Sequence, residues 1–456
     1  MKKHLKRTVS VFESLTAVYL AGMLFVYLLF PGFGGYEQLT EHKVRLFYWL
    51  SGGCLILAAL IRAELCIVGA AKPPQLKKIW VGTSVPEKLI LLYWAVTGLS
   101  TVCAIDRATA FWGSGRMEGF LTITLYCGCF LLVARWGRPA RWMLWLFGAA
   151  MALNCLLALI QMAGFNPLAL YPHGMTYYDA NVLYAGEFLG TLGNVDILSA
   201  VLCVAIPALW VALAVLRGKR RFFLLIPLTL CVATLLGSFV AGGIVGILGS
   251  ALLIIPTLGK LKTVRRRLAV VMVVILALGI VAVYCFGGQI GGFIAEASAL
   301  LHGHWDDSFG SGRLFIWRNV VGLLPERLLL GGGPDTLGLR LDAVFERYDE
   351  TLGVLIRSTI DNAHNEYLNI LVNQGLPALL LYLAALCSAA VPWLKHGHGN
   401  PAAAVCGSAV LGYCVQAFFG VSSPISAPYF WLALGLLTAS MKFQPPPSER
   451  LEERSQ

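Results

Sequence analysis

The 456-residue chain is 58% hydrophobic and only 13% charged, with a mean hydropathy of +0.73. Soluble globular proteins carry about 25% charged residues, so this composition excludes that class and points to an integral membrane protein. The formal net charge of +11 would suit a nucleic-acid partner, but the basic residues sit in short clusters between apolar runs, which is the pattern of membrane topology.

The chain opens with MKKHLKR before an apolar run that lacks an A-x-A cleavage site, so the first span is expected to be a retained signal anchor. Runs of about 17 to 25 apolar residues mark spanning helices. Twelve are expected, at 11–30, 44–69, 87–105, 118–134, 142–163, 191–216, 222–238, 240–258, 268–286, 364–394, 402–421 and 428–442. The clusters KKHLKR, KPPQLKK, RWGRPAR, RGKRR and KLKTVRRR all fall on one side of these spans, which assigns both termini to the cytoplasm. The expected fold is an all-α polytopic membrane protein with one large extracytoplasmic loop between spans nine and ten that contains short helices. Spans one to nine occupy 1–286, the loop 287–363, the last three spans 364–442, and a polar, proline-rich tail, read as disordered and cytoplasmic, 443–456. Most of the cysteines lie within or at the ends of apolar runs, as small hydrophobes do, and form no disulfide or zinc pattern. The run GGIVGILG at 242–249 suits close helix approach. The aromatic outer segment YPHGMTYYDANVLYAGE at 171–187 suits either interfacial anchoring or sugar stacking.

The 287–362 segment contains six Arg and no Lys. Within SFGSGRLFIWRNVVGLLPERLLLGGGPDTLG, Ser311 is expected to cap a helix starting near Gly312, Arg313 and Trp317 then share a face, and Pro325 is expected to stop the helix. Gly331, Gly332, Gly333 and Pro334 form a tight turn before Asp335. A guanidinium fork and free amides at a helix start both suit phosphate oxygens. The same features also suit an interfacial helix anchored by Trp317, with Arg313 and Arg318 on lipid headgroups. In STIDNAHNEYLNILVNQGLPALLLYL, at 358–383, Asp361 is expected to cap the next helix and to put His364 in its first turn. The positive helix end keeps an imidazole neutral and able to accept a proton. By chemistry alone a lone histidine at such a place is more often structural, and Glu366 suits the helix end simply by position, so spacing does not separate these readings. Asp306 and Asp307 are adjacent, HWDDSFG reads as a polar loop, and no metal or cofactor is expected.

The segment GRLFIWRNVVGLLPERLLLGGGPDTL followed by DNAHNEYLNILVNQGLPALLLYL closely resembles the signature region of the bacterial O-antigen ligase and O-antigen polymerase superfamily. Weaker resemblance lies in FWGSGRMEGFLT, which holds Arg116, and in GTLGNVDILSA, which holds Asn194 and Asp196. The resemblance implies a glycosyltransferase that moves a glycan from an undecaprenyl diphosphate carrier to an acceptor hydroxyl at the outer face of the cytoplasmic membrane. By the same resemblance His364 is the base or acceptor-orienting group, Arg313 contacts the donor diphosphate and Arg116 is a further anionic contact. Trp317, Arg318, Asn365, Glu366 and Asn194 complete the candidate substrate contacts. The family often carries a Ser-Arg pair near the seventh or eighth span where this chain has Ser238 and Phe239, so Arg357 or Arg340 is expected to substitute.

The resemblance fits a ligase with a glycan, glycolipid or envelope-polymer acceptor. A repeat-unit polymerase using the same donor, or transfer onto a protein hydroxyl, fits as well. A transporter of the same span count would carry midplane charges and related halves. Neither feature is evident: Arg62 and Glu64 lie towards the inner end of span two.

Overall fold

The computed structural model describes residues 2–69, 80–170, 176–179, 182–185, 190–259, 261–349, 354–396 and 399–442. The KPPQLKK cluster, most of the aromatic 171–187 segment and the 443–456 tail lie outside the described residues.

Among the described residues, seventeen α-helices and two small hairpins follow in order. They are α1 (Lys2–Ala21, continuing as a wider turn over Gly22–Tyr27), α2 (Tyr36–Ile67), α3 (Val85–Val102), α4 (Arg107–Trp112), α5 (Phe120–Trp136), α6 (Arg141–Met162), β1 (Thr176–Asp179) and β2 (Val182–Ala185). Next come α7 (Val195–Val215), α8 (Leu225–Ser238), α9 (Ala241–Ile254), α10 (Lys262–Ile290), α11 (Gly292–Leu301), α12 (Arg313–Gly322) and α13 (Leu324–Arg327). The chain closes with β3 (Val344–Asp349), β4 (Val354–Thr359), α14 (Glu366–Gln374), α15 (Leu376–His396), α16 (Pro401–Gln416) and α17 (Ala427–Lys442). β1 pairs antiparallel with β2, and β3 with β4, in register Val344 to Thr359. Neither hairpin was expected in an all-helical chain.

By length and composition, eight of the described helical stretches can cross a membrane: Val9–Tyr27, Gln38–Ile67, Arg141–Met162, Val195–Val215, Lys219–Ser238, Ala241–Leu258, Lys262–Ile290 and Leu376–Lys395. The other four expected spans are the shorter helices α3, α5, α16 and α17, of 18, 17, 16 and 16 residues. Of these, α17 lies at the centre of the bundle. In α17 every residue from Ala427 to Ser440 is buried, and α16 packs against both α7 and α9. That approach depends on small residues, because a side chain at Gly412 would run into the Cys203 carbonyl and one at Gly246 would come within 2.9 Å of Gln416 Cβ. GGIVGILG is therefore a packing surface. At the periphery, Gly287 is the only fully buried residue of α10.

The expected tenth span divides in two. Gly375 turns the chain at φ 91°, ending α14 and freeing α15 to cross. A side chain at Gly375 would run into the Leu329 carbonyl, and one at Gly331 into the Asn373 backbone, so the glycine turn at 331–333 docks on the end of α14. Gly333 N–H donates to Asn373 O at 2.8 Å and Gly332 N–H to Val372 O at 3.2 Å, which fixes that contact. Two local expectations change here. Gly312, not Ser311, is the N-cap of α12 and no side chain caps it, while Pro325 stands in the first turn of α13 and starts a helix instead of stopping one.

Candidate functional site

Four segments meet at one end of the bundle, and each is held there by a distinct polar anchor. Asn194 caps α7, its Oδ1 accepting from Asp196 N–H at 2.8 Å and Ile197 N–H at 3.2 Å, which leaves Asp196 in the first turn, where the helix dipole favours a carboxylate. The lead-in to this cap hangs from α6: Asn154 Oδ1 accepts from Thr191 N–H at 2.8 Å and Gln161 Oε1 from Gly190 N–H at 2.9 Å. Arg313 opens α12 after three left-handed residues, Gly310, Ser311 and Gly312, and its side chain folds back. Its Nη1 donates to Gly310 O at 2.7 Å, its Nε donates to Phe419 O at 3.2 Å, and its Nη2 stands 3.9 Å from Asp196 Oδ1. One turn on, Trp317 Nε1 donates to Ala363 O at 3.0 Å, tying α12 to the residue before His364.

The cap of α14 is Asn365, which accepts from Leu368 N–H at 3.0 Å. Asp361 is not the cap, as was expected. It forms a bidentate pair with Arg116, Nε to Oδ2 at 2.9 Å and Nη2 to Oδ1 at 3.1 Å, across 245 residues of chain. His364 accordingly lies just before the helix, with a left-handed backbone at φ 47° and its N–H on Asn362 Oδ1 at 2.9 Å. The loop carrying Arg116 is clamped by Asp335, whose Oδ2 accepts from Ser114 N–H at 2.6 Å and Glu118 N–H at 3.2 Å.

The electrostatics follow from this convergence. Burial first, and then the Arg313 guanidinium, push the His364 pKa down to about 4; Arg116 adds to the lowering, while Asp196 and Asp361 pull the other way. The imidazole is neutral at physiological pH, as expected, although the helix end is not the main cause. Burial works against the charge of Arg116, but Asp361, with Asp196 and Asp335, more than offsets it and raises its pKa. Burial also raises Asp335, against the two N–H donors. Beneath Arg116, burial pushes Glu118 up to about 8, although the hydroxyls of Ser422 and Tyr126 donate to it at 2.7 and 2.9 Å. Among the described residues, no group of three or more His, Cys, Asp or Glu is arranged to hold a metal ion.

The structure thus brings Arg313, His364, Arg116, Trp317, Asn365 and Asn194 to one place, the two asparagines as helix caps. Four other candidates lie elsewhere. Arg340 donates to Val372 O at 3.0 Å and Asn373 Oδ1 at 2.7 Å, at the far end of α14. Arg357 pairs with Glu346 at 2.8 Å on the exposed hairpin, and Arg318 pairs with Asp307. Glu366 points into the bundle, accepting from Tyr382 and Tyr413 at 2.7 Å each. Arg357 and Arg340, the two expected to substitute for an arginine at Phe239, thus bond elsewhere, whereas Arg116 and Arg313 both act on the His364 imidazole. Asp196 and Asp361, which hold the two guanidiniums, and Asp335 and Glu118 were not singled out from sequence as site residues. The signals for Asp196 were its place two positions after a helix cap and in the weakly resembling segment GTLGNVDILSA.

No curated protein matches the chain. Residues 226–383 match the family model described as O-antigen ligase, a match that runs from α8 into α15 and includes Arg313, Trp317 and His364. The enzymes of this family are membrane glycosyltransferases that ligate or polymerise lipid-linked glycans. The protein is a multi-pass membrane protein whose segment 226–383 is similar to the O-antigen ligase family.

Proposed function

We propose that this protein is a ligase that transfers a glycan from undecaprenyl diphosphate to an acceptor hydroxyl, with the end of the bundle described above facing the extracytoplasmic side. The observation that carries the reading is a neutral His364 within electrostatic reach of two oriented guanidiniums, Arg313 and Arg116. As the acceptor oxygen attacks the anomeric carbon, the bond to the diphosphate breaks and the carrier leaves with the electron pair. Charge then develops on the diphosphate, where fixed cations held by Asp196 and Asp361 stabilise it without reorganising. The hydroxyl proton passes to the His364 imidazole, and attack opposite the leaving group inverts the anomeric centre. The incoming dianion also raises the affinity of His364 for that proton, so substrate binding itself strengthens a weak base.

The test is transfer by purified protein in liposomes, with a carrier-linked glycan and a glycolipid acceptor supplied on one side. Covalent transfer that disappears in the His364→Asn variant supports the reading. Extension of the carrier-linked glycan itself would make the protein a repeat-unit polymerase, and glycan crossing the bilayer without bond formation would make it a transporter.

A further inference from the structure

A cavity lies at the end of the bundle opposite the candidate site. Two helices fix this placement. α6 starts at the cavity and ends where Gln161 holds the lead-in to Asp196; α16 starts at the cavity and ends beside Ala417, whose carbonyl accepts from Glu366 N–H. The 16 residues of α16 put about 24 Å between the two places. The cavity holds about 670 Å³, within the size range of small-molecule sites. Its walls are apolar and come from four helices: Phe147 of α6, Val204 and Ala208 of α7, Ala409 of α16 and Ala433 of α17. Tyr429 lines it too, and the Tyr429 hydroxyl is buried with no hydrogen-bond partner. Such a group calls for a ligand acceptor.

The mouth has the opposite character. Arg138, Arg141, Asn400 and Lys442 surround it, and the N-termini of α6 and α16 both open there, adding their positive dipole ends. Arg138 pairs with Glu13 at 2.7 Å and Lys442 with Glu87 at 2.6 Å, whereas Arg141 is exposed and has no carboxylate partner among the described residues. An apolar chamber with a cationic rim, and with an unmatched Tyr429 hydroxyl deep inside it, is complementary to an anionic head joined to a hydrocarbon chain.

We propose that this cavity binds one anionic membrane phospholipid, with an acyl chain between α6, α7, α16 and α17 and the phosphate at Arg141. The site is separate from the glycan-transfer chemistry, so its test reads binding and not activity. The full chain in detergent is examined by native mass spectrometry with palmitoyl-oleoyl phosphatidylglycerol, the matching phosphatidylcholine, and inorganic phosphate alone. The expected result is one phosphatidylglycerol retained per chain, with a preference of about tenfold over phosphatidylcholine. Arg141→Gln, at an exposed helix start where folding is not at stake, is expected to abolish the preference. Ala433→Phe, which fills the chamber, is expected to remove binding of both lipids. Equal retention of the two lipids by the parent, retention of neither, or parent-like preference in Arg141→Gln would overturn the proposal. Displacement of phosphatidylglycerol by inorganic phosphate alone would also overturn it, by reducing the site to a free-anion site.

Discussion

The segment between α10 and α15 contains two regions of similar composition and opposite behaviour. On α12, Arg313 and Trp317 turn inward, because each is tied to a carbonyl or a carboxylate on another element, and His364 lies half-buried beside them. On the β3 and β4 hairpin, Arg357 finds its partner Glu346 across the ladder and stays at the surface, with 68% of its side chain exposed. Both regions hold an arginine near an acid. What distinguishes them is that the acid facing Arg313 belongs to a distant helix fixed by its own cap, so the pair orders two elements, whereas Arg357 and Glu346 order nothing beyond the strand pair that already exists.

This contrast can be tested by substitution, and the largest effect belongs to the base. His364→Asn is expected to lower kcat for glycan transfer by 10² to 10⁴ with unchanged abundance in the membrane, the range for loss of a positioned base; near-normal turnover would take His364 out of the chemistry. Arg313→Lys comes next, with a loss of about 10², because an ammonium cannot span Phe419 O, Gly310 O and a phosphate as the planar fork does. A Lys variant as active as the parent would put the arginine on lipid headgroups. The pH dependence gives a smaller but more specific readout. His364 has a folded pKa depressed to about 4, so it is neutral above that value and is lost as a base only as pH falls through it. The acid limb of kcat/KM, which reports the free enzyme, is expected near pH 4. The limb of kcat is expected at higher pH, because the bound dianion raises the imidazole, and coincident limbs would argue that the diphosphate does not sit beside His364. Arg357→Ala is expected to change transfer by less than about twofold, since exposed ion pairs contribute about 0–1 kcal/mol; a tenfold loss would bring the hairpin into the site.

Local sequence revealed the membrane class, most helix positions, and the placement of Arg313 and Trp317 on one face, because hydropathy, spacing and glycine punctuation act over a few residues. The start of α14 was misread by four residues, since Asp361 and Asn365 are equally good caps in isolation and only the Arg116 guanidinium, 245 residues away, decides between them. The same holds for Asp335, which reads as part of a glycine turn until Ser114 and Glu118 are brought against it. Arg340 illustrates the converse: the lack of an arginine after Ser238 suggested it as a substitute anion contact, yet it donates to Val372 O and Asn373 at the end of α14. The 16-residue helices α16 and α17 were expected as ordinary spans, and nothing in their hydropathy distinguishes an interior helix from a lipid-facing one.

The left-handed backbone at His364 has a consequence for how that position tolerates change. Glycine and asparagine enter this region of conformational space readily, whereas valine, isoleucine and threonine resist it. A saturation library at 364 would therefore sort its members on two axes at once, main-chain compatibility and proton affinity. The informative contrast is between asparagine, which keeps the geometry and discards the base, and a β-branched residue, whose further loss beyond that of asparagine would report on strain.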